Sequence, residues 1–552
     1  MESTGEPSFS VATLVGKAIA VGFGSKLVVG LYPMSSVGES GPNSSLTIDD
    51  KQLIRAVTFV QFPEGPLCVV TAGDAKYINV YNLDSMVHCN PATLRKTITD
   101  SHSEVNDAGL QLSESKPIIQ EIEPCYHYGP HTKRITSMIT EVDGCIIFAD
   151  KFGEVYRLQL NWNPSSKTVT AVSDDQKPPA AFLFQHFSII LALYLSSPIP
   201  PFGASSGKPE GHSRRRLFSC DKDHHCRVSF YPAVYNIEQF LWPTSKRPAV
   251  TTCVEEIPLL DRKRVCASAA STPHPNGTIE EARPLSHYVT GSYEGEVFLW
   301  VARNDLPPNS SEESFRLVSR CRPESGEVDT PETGAVLSMV YLACRRVAEC
   351  SSGPLCDSPS GVLVAYEKLK AVVFFQISST KEDGLEAHHS LVYGGRIQLE
   401  QFPTAMVRCD ESTVLILNRD GATARVHLSA THGSDPHSSH IVGDKGEVSP
   451  EPYKPGANTN FRLSFLPHVT TSLEEGIKHI ITPRGINLLS ELNLFSQWQK
   501  TVSDPRTRQK QLGSDESGDD INMGASRESN KISHESKDEH ILNKRARPDS
   551  NE

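Results

Sequence analysis

A chain of 552 residues with 38% hydrophobic and 22% charged side chains, 38 prolines and 36 glycines has a globular composition, but too many breakers for long helices to dominate. Its 66 acidic against 54 basic side chains give a formal net charge of −12, the wrong sign for holding nucleic acid through its own phosphate contacts, so any nucleic-acid role needs a basic partner. The longest apolar run, SIILALYL at residues 188–195, is far short of the roughly 20 residues a membrane helix needs. The opening MESTGEPSFS lacks a basic and then apolar leader, and 13 cysteines scattered through apolar segments read as free thiols in a reducing compartment; a soluble, intracellular protein is expected.

Along the chain one pattern returns seven times: a β-rich run, a short turn containing Asp, Gly or Asn, and a second β-rich run with alternating apolar side chains. The units are AIAVGFGSKLVVGLY at 18–32, LCVVTAGDAKYINVYNL at 67–83, CIIFADKFGEVYRLQL at 145–160, RLFSCDKDHHCRVSFYP at 216–232, YVTGSYEGEVFLW at 288–300, GVLVAYEKLKAVVFF at 361–375 and VLILNRDGATARVHL at 414–428. Each reads as the inner part of a four-stranded blade, with a tight hairpin and a strand ending in an aromatic or apolar residue. The expected fold is all-β, a seven-bladed WD-repeat-type β-propeller over residues 1–430. The units recur at about 50 to 75 residues, above the ~40–45 of compact repeats of this kind. Long insertions, at 84–126, 159–179, 203–214, 273–281, 304–333 and 349–360, are therefore expected as rim loops, several of them disordered.

Beyond the seventh unit the character changes. Residues 431–502 read as an extension with one short amphipathic helix at 486–498, carrying Leu488, Leu489, Leu492 and Phe495 at helical spacing. Residues 503–552 are too polar to offset the entropy of ordering and read as a disordered charged tail.

Catalytic patterns are lacking: no P-loop, HExxH or GxSxG is present. The glycine-rich VGFGSK at 21–26 is followed by strand alternation, whereas a phosphate cradle needs a helix N-terminus. Cys220 and Cys226 bracket two histidines, but strand alternation is expected to turn them to opposite faces, which favours an ordinary turn over zinc. Cys344, Cys350 and Cys356 read as loop thiols. No catalytic residue, cofactor site or metal site is expected. Lys133 and Arg134 open a unit at the rim of one face, either as a solvated turn or as two cations for a partner carboxylate or phosphate. Arg214 to Arg216 form a second small basic cluster, and Lys544 to Arg547 form a candidate nuclear-import patch.

Two stretches are more specific. ADKFGEVYRL at 149–158, preceded by KRITSM at 133–138, and FSCDKDHHCRVSFYPAVYNIEQFLW at 218–242 resemble the non-catalytic WD-repeat subunit of the eukaryotic tRNA (guanine-N7)-methyltransferase, with similarity over roughly residues 132–300. The resemblance implies a non-catalytic scaffold that binds and stabilises the catalytic tRNA (guanine-N7)-methyltransferase subunit as a heterodimer. N7-methylguanosine would then form in the tRNA variable loop, with tRNA held mainly through that partner and no membrane involved. It implies a nuclear location, with the cytoplasm as an alternative. By position it assigns Asp221, Lys222, Asp223, Arg227, Lys133, Arg134, Asp150 and Lys151 to partner binding. The DKDHHCR turn is expected at the centre of that contact, with Arg227 either pairing with a partner carboxylate or bracing the turn internally. Departures are His224 and His225 in place of acidic and variable residues, and Pro243 after Leu241 and Trp242. The competing reading is a generic WD-repeat adaptor, in ribosome assembly or a ubiquitin ligase.

Overall fold

The seven units fold as the middle antiparallel pair of seven separate sheets. In the computed structural model the described residues are 9–14, 18–31, 44–84, 119–120, 122–172, 178–199, 214–243, 249–258, 285–304, 306, 312–323, 333–343, 360–380, 388–430, 461–465, 475 and 477–478. The middle pairs of blades 1 to 7 are Ala18–Phe23 with Lys26–Leu31, Leu67–Gly73 with Ile78–Asn82, Cys145–Asp150 with Glu154–Asn163, Arg215–Asp221 with Cys226–Tyr231, Leu285–Ser292 with Val297–Arg303, Ser360–Tyr366 with Ala371–Thr380, and Thr413–Asn418 with Thr423–Ala430. These runs are apolar almost without interruption because the blades stack and bury both of their faces.

A first strand precedes each pair: Phe9–Leu14, Ile54–Gln61, Ile135–Thr140, Ile190–Leu195, Thr251–Ile257, Val336–Ala343 and Pro403–Arg408. Each first strand packs on the first strand of the next blade all the way round, Phe9–Leu14 against Pro403–Arg408 included, and so forms the inner wall of a closed ring. The outer edges are Ser44–Asp49, Tyr126–Tyr128, Ala180–Gln185, Ile237–Leu241, Phe315–Cys321, His388–Gln398 and Phe461–Phe465. Among the described residues every blade draws its four main strands from one consecutive stretch of chain. The ring is closed by side chains: Ile19, Val21, Phe23 and Val28 of blade 1 pack with Val407, Leu415 and Leu417 of blade 7 and with Ile477.

A shared backbone bond fixes one face. The residue after the second strand donates its N–H to the loop entering the same blade: Asp74 to Leu53 O, Lys151 to Arg134 O, Lys222 to Ile189 O, Tyr293 to Val250 O, Glu367 to Ala335 O and Arg419 to Phe402 O, at 2.8 to 3.1 Å. The hairpin turns and the blade-entry loops therefore lie together on this face. Three residues after the end of the second strand, blades 3, 5 and 7 place Gly153, Gly295 and Gly421 at φ 81°, 78° and 83°, the left-handed region. Blades 2 and 4 put Lys76 (φ 69°) and His224 (φ 72°) in the same position.

Several expectations are corrected. Part of the 159–179 stretch is not a loop: the strand Glu154–Asn163 runs on past its sheet and returns as Thr168–Ala171, a ribbon whose Trp162 lies against Phe62 of blade 2, with ring centroids 6.5 Å apart. The 304–333 stretch contains the outer strand Phe315–Cys321. Within 84–126, Ile119 and Gln120 pair in parallel with Thr47 and Ile48 and extend the edge of blade 1. The seventh blade takes its last strand, Phe461–Phe465, from beyond the expected boundary at 430. The expected helix at 486–498 and the tail at 503–552 lie outside the described residues.

Candidate partner-binding face

Asp150 and Asp221 occupy equivalent turns of blades 3 and 4 and do the same local work. Asp150 Oδ1 accepts the N–H groups of Phe152 and Glu154 at 2.8 and 3.1 Å. Asp221 Oδ1 accepts those of Asp223 and His225, both at 2.9 Å. A carboxylate bonded to the backbone two and four residues on closes the turn without using a partner. Asp221 Oδ2 lies 2.9 Å from His186 Nδ1 and 3.1 Å from His225 Nδ1, and His186 Nε2 lies 2.8 Å from Ser219 Oγ. Burial pushes the Asp221 carboxyl up, but the bonds from His186 and the His225 backbone and the charge of both imidazoles outweigh it and leave the group below the usual carboxylate range. In blade 3 the corresponding His131 Nε2 stands 3.6 Å from Asp150 Oδ2.

Three of the expected contact residues are thus internal. Asp150 and Asp221 are buried, and so is Arg227. Arg227 Nε donates to Ser229 Oγ at 2.9 Å, Nη2 donates to Val234 O at 2.8 Å, and the guanidinium carbon sits 4.2 Å from the centroid of the Phe184 ring. Of the two readings of Arg227, these contacts match the internal one: it braces the seam between blades 3 and 4, and burial lowers its pKa. Sequence numbering alone does not show that position 227 points into that seam.

The other five expected residues reach the surface. Lys133 and Lys151 hold their ammonium groups 4.6 and 5.3 Å from the ring centroid of Phe152, which is 47% exposed at the tip of the blade 3 turn. Arg134 Nη1 lies 3.8 Å from Asp74 Oδ1, and Asp74 also takes a forked pair of 2.8 Å bonds from Arg55. Lys222 is half-buried and Asp223 exposed on the blade 4 turn. The loop joining the two turns is anchored at both ends: His186 N donates to Gly153 O at 2.9 Å, and Ile189 O accepts from Lys222 N.

Between those anchors Phe187 is fully exposed, and beyond them Trp242, 49% exposed, meets His225 edge-on at 5.8 Å. Sequence reasoning missed Phe152, Phe187 and Trp242. The available signal was an aromatic residue in the turn words KFG and HFS, where a polar residue would solvate better. Together these side chains make a ridge of three ammonium groups, one carboxylate and three exposed aromatics, carried by rigid hairpins.

The remaining candidates fall elsewhere. Arg216 of the expected basic cluster is 1% exposed, between blades 4 and 5. Its Nε and Nη2 fork onto Glu238 at 2.7 and 2.8 Å, Nη1 reaches Asn304 Oδ1 at 2.7 Å and Nη2 also reaches Arg303 O at 2.8 Å. Arg214 is exposed, its guanidinium 5.5 Å from the Phe230 ring centroid. The VGFGSK stretch is a strand, a two-residue turn and the start of a second strand. Cys220 and Cys226 do not point to opposite faces: they are direct register partners whose sulfurs are 3.1 Å apart. Among the described residues no group of three or more His, Cys, Asp or Glu is arranged to hold a metal ion. Lys544 to Arg547 and Cys344, Cys350 and Cys356 lie outside the described residues.

No protein-family model matches the chain. Over 104 residues it is 25% identical to the tRNA (guanine-N(7)-)-methyltransferase non-catalytic subunit TRM82 of Candida glabrata, a match covering 19% of this chain and 20% of that protein, so the chain matches about one fifth of the relative's length. Solved structures that resemble it include Saccharomyces cerevisiae Sqt1, at 10% identity and TM-score 0.38, covering 79% of this chain and 91% of the other. A chain of the Mitotic Checkpoint Complex gives 8% and 0.39, covering 75% and 88%. The WD40 β-propeller domain of Doa1 gives 9% and 0.36, covering 75% and 90%. Seven sheets, each built on four antiparallel strands and closed into a ring, make the chain a seven-bladed β-propeller.

Proposed function

We propose that this propeller is a non-catalytic scaffold whose blade 3–4 face binds the catalytic subunit of a tRNA (guanine-N7)-methyltransferase, so that N7-methylguanosine forms in the tRNA variable loop. The carrying observation is the Lys133–Phe152–Lys151 cluster beside Phe187, Lys222, Asp223 and Trp242, held on turns whose backbone amides are tied down by Asp150 and Asp221. Such a ridge loses little entropy on docking, and exposed aromatics flanked by cations suit an acidic, partly apolar protein surface. The two sequence words shared with the methyltransferase scaffold, in neighbouring blades, and the partial match to the Candida glabrata subunit support the choice of partner.

In this reading the scaffold supplies neither S-adenosylmethionine site nor base-reading groups, and with a net charge of −12 it leaves tRNA phosphates to the partner. The complex works in the nucleus. The test is co-expression of the full chain with the catalytic subunit from the same organism, followed by co-purification and a tRNA N7-methylation assay. A stoichiometric complex whose activity exceeds that of the catalytic subunit alone is expected. A catalytic subunit that neither co-purifies nor gains activity would overturn the assignment and leave a scaffold for another complex.

A further inference from the structure

Cys220 is the last residue but one of the second strand of blade 4 and Cys226 begins the third, directly opposite each other across the Asp-Lys-Asp-His-His turn. Asp221 N donates to His225 O at 2.9 Å, which makes 221 and 225 a hydrogen-bonded pair of the ladder. The next pair along, 220 and 226, is then of the non-hydrogen-bonded kind, in which opposed Cα atoms approach to about 4.5 Å and side chains come closest. Both side chains enter the blade 4–5 core beside Phe218, Leu241, Val254 and Tyr288. There Cys220 Sγ donates to Cys226 Sγ at 3.1 Å. A plain core would fill this volume with two aliphatic groups; here two sulfurs already touch, on strands whose spacing suits a covalent bridge.

We propose that Cys220 and Cys226 are a reversible modification site, a buried dithiol that a small peroxide oxidises to an intrachain disulfide stapling the blade 4 turn. Cys220 sits in apolar surroundings that hold its thiol well above the usual range, so it keeps its proton and directs it at the Cys226 sulfur. Cys226, whose sulfur accepts that hydrogen bond, is the first nucleophile and gives up its own proton as it attacks. It attacks one oxygen of hydrogen peroxide and the O–O bond breaks, which leaves a sulfenic acid on Cys226 and a hydroxide that takes up a proton as water. The Cys220 sulfur then attacks the sulfenic sulfur, the S–O bond breaks, and the second oxygen leaves as water with the Cys220 proton. Two thiols and one peroxide become one disulfide and two waters. The ring so closed encircles Lys222 and Asp223, and this chemistry is independent of which partner the face binds.

Cys253, half-buried against the neighbouring blade 5–6 core and electrostatically linked to Cys220, is the competing thiol. The test treats the reduced full-length chain with hydrogen peroxide, blocks remaining thiols with iodoacetamide under denaturing conditions and maps the peptides by mass. The expected result is loss of two free thiols per chain, with Cys220 and Cys226 unblocked, two hydrogens lighter and restored by dithiothreitol, and the same result in Cys253→Ser. In Cys220→Ser, dimedone should trap the stranded sulfenic acid on Cys226. Wild-type chain in which both thiols are still blocked after peroxide, or in which either is bridged to Cys253, would overturn the proposal, and this reading does not depend on any variant folding.

Discussion

Arg216 and Glu238 form a forked ion pair closed off from water, with side chains 1% and 3% exposed. The guanidinium also bonds Asn304 and Arg303 O and lies 5.0 Å from the Phe315 ring centroid, so four of its five N–H donors serve the seam between blades 4 and 5. Removing one partner leaves the other charge buried and unpaired. Arg216→Ala is expected to lower stability by about 3–5 kcal/mol, measured by urea unfolding. Arg216→Met combined with Glu238→Leu is expected to recover most of that loss, because the pair's desolvation cost disappears with both charges. A double variant as unstable as the single one would contradict this account.

Gly153 and His224 occupy equivalent turn positions with opposite tolerances. His224 holds φ 72°, a conformation that costs an L-residue about 1–2 kcal/mol relative to glycine. His224→Gly is expected to raise the unfolding midpoint, corresponding to roughly 0.5–1 kcal/mol once the greater freedom of the unfolded glycine is included. Gly153→Ala should do the reverse, since its Cβ would stand 2.3 Å from Ser188 O at φ 81°. Thermal melts of the two variants should therefore move in opposite directions.

Two half-buried groups titrate in the same pH window with opposite effects on stability. His287 is pushed down from 6.5 to about 4 by burial and by neighbouring His389. The unfolded chain therefore binds the extra proton between those values, and stability rises with pH across that interval. Glu255 is pushed up from 4.5 to about 7 by burial, against the opposing Tyr341 N–H bond and the Arg408 charge. Here the folded chain holds the proton, so stability falls as pH rises through the same range. Each effect is on the order of 3 kcal/mol, and in the wild type they largely cancel. Denaturant unfolding from pH 4 to 7 is expected to show stability climbing in Glu255→Gln and declining in His287→Phe.

On the proposed partner face, the exposed and the buried residues should separate cleanly. Phe152→Ala and Phe187→Ala are each expected to weaken capture of the catalytic subunit by about 2 kcal/mol, roughly 30-fold, with unchanged melting temperature. Arg227→Ala is expected to lower the melting temperature first, since it strips Ser229, Val234 and the Phe184 ring of their shared partner. Calorimetric binding alongside thermal melts distinguishes the two classes.

The seven hairpins were legible in the sequence because each pairs two apolar runs across a short polar turn, six of them through Asp or Gly and blade 6 through Glu367 to Lys370, and all seven are middle pairs of sheets. Outer strands were harder to read. Phe315–Cys321 is short, carries two arginines and a serine, and lies between polar stretches, and Phe461–Phe465 is separated from its sheet by thirty residues absent from any repeat pattern. Of the candidate site, the turn positions were legible, but the direction of each side chain was not. Asp221 and Arg227 were picked out by the same words as Lys222 and Asp223, yet the first two close the turn and brace the seam while the others face solvent. Only the pairing register distinguishes them.

The joint between blades 1 and 7 shares no strand among the described residues. Apart from Ile119 and Gln120, which lie between the strands of blade 2 yet extend the edge of blade 1, each blade is a self-contained cassette among the described residues. A circular permutant opened between Pro243 and Ala249, with the old ends linked, would keep the hydrogen-bond ladder of every sheet. Inserted sequence at any blade junction is for the same reason a change of tether and not of architecture, which is how this ring carries such long segments between its repeats.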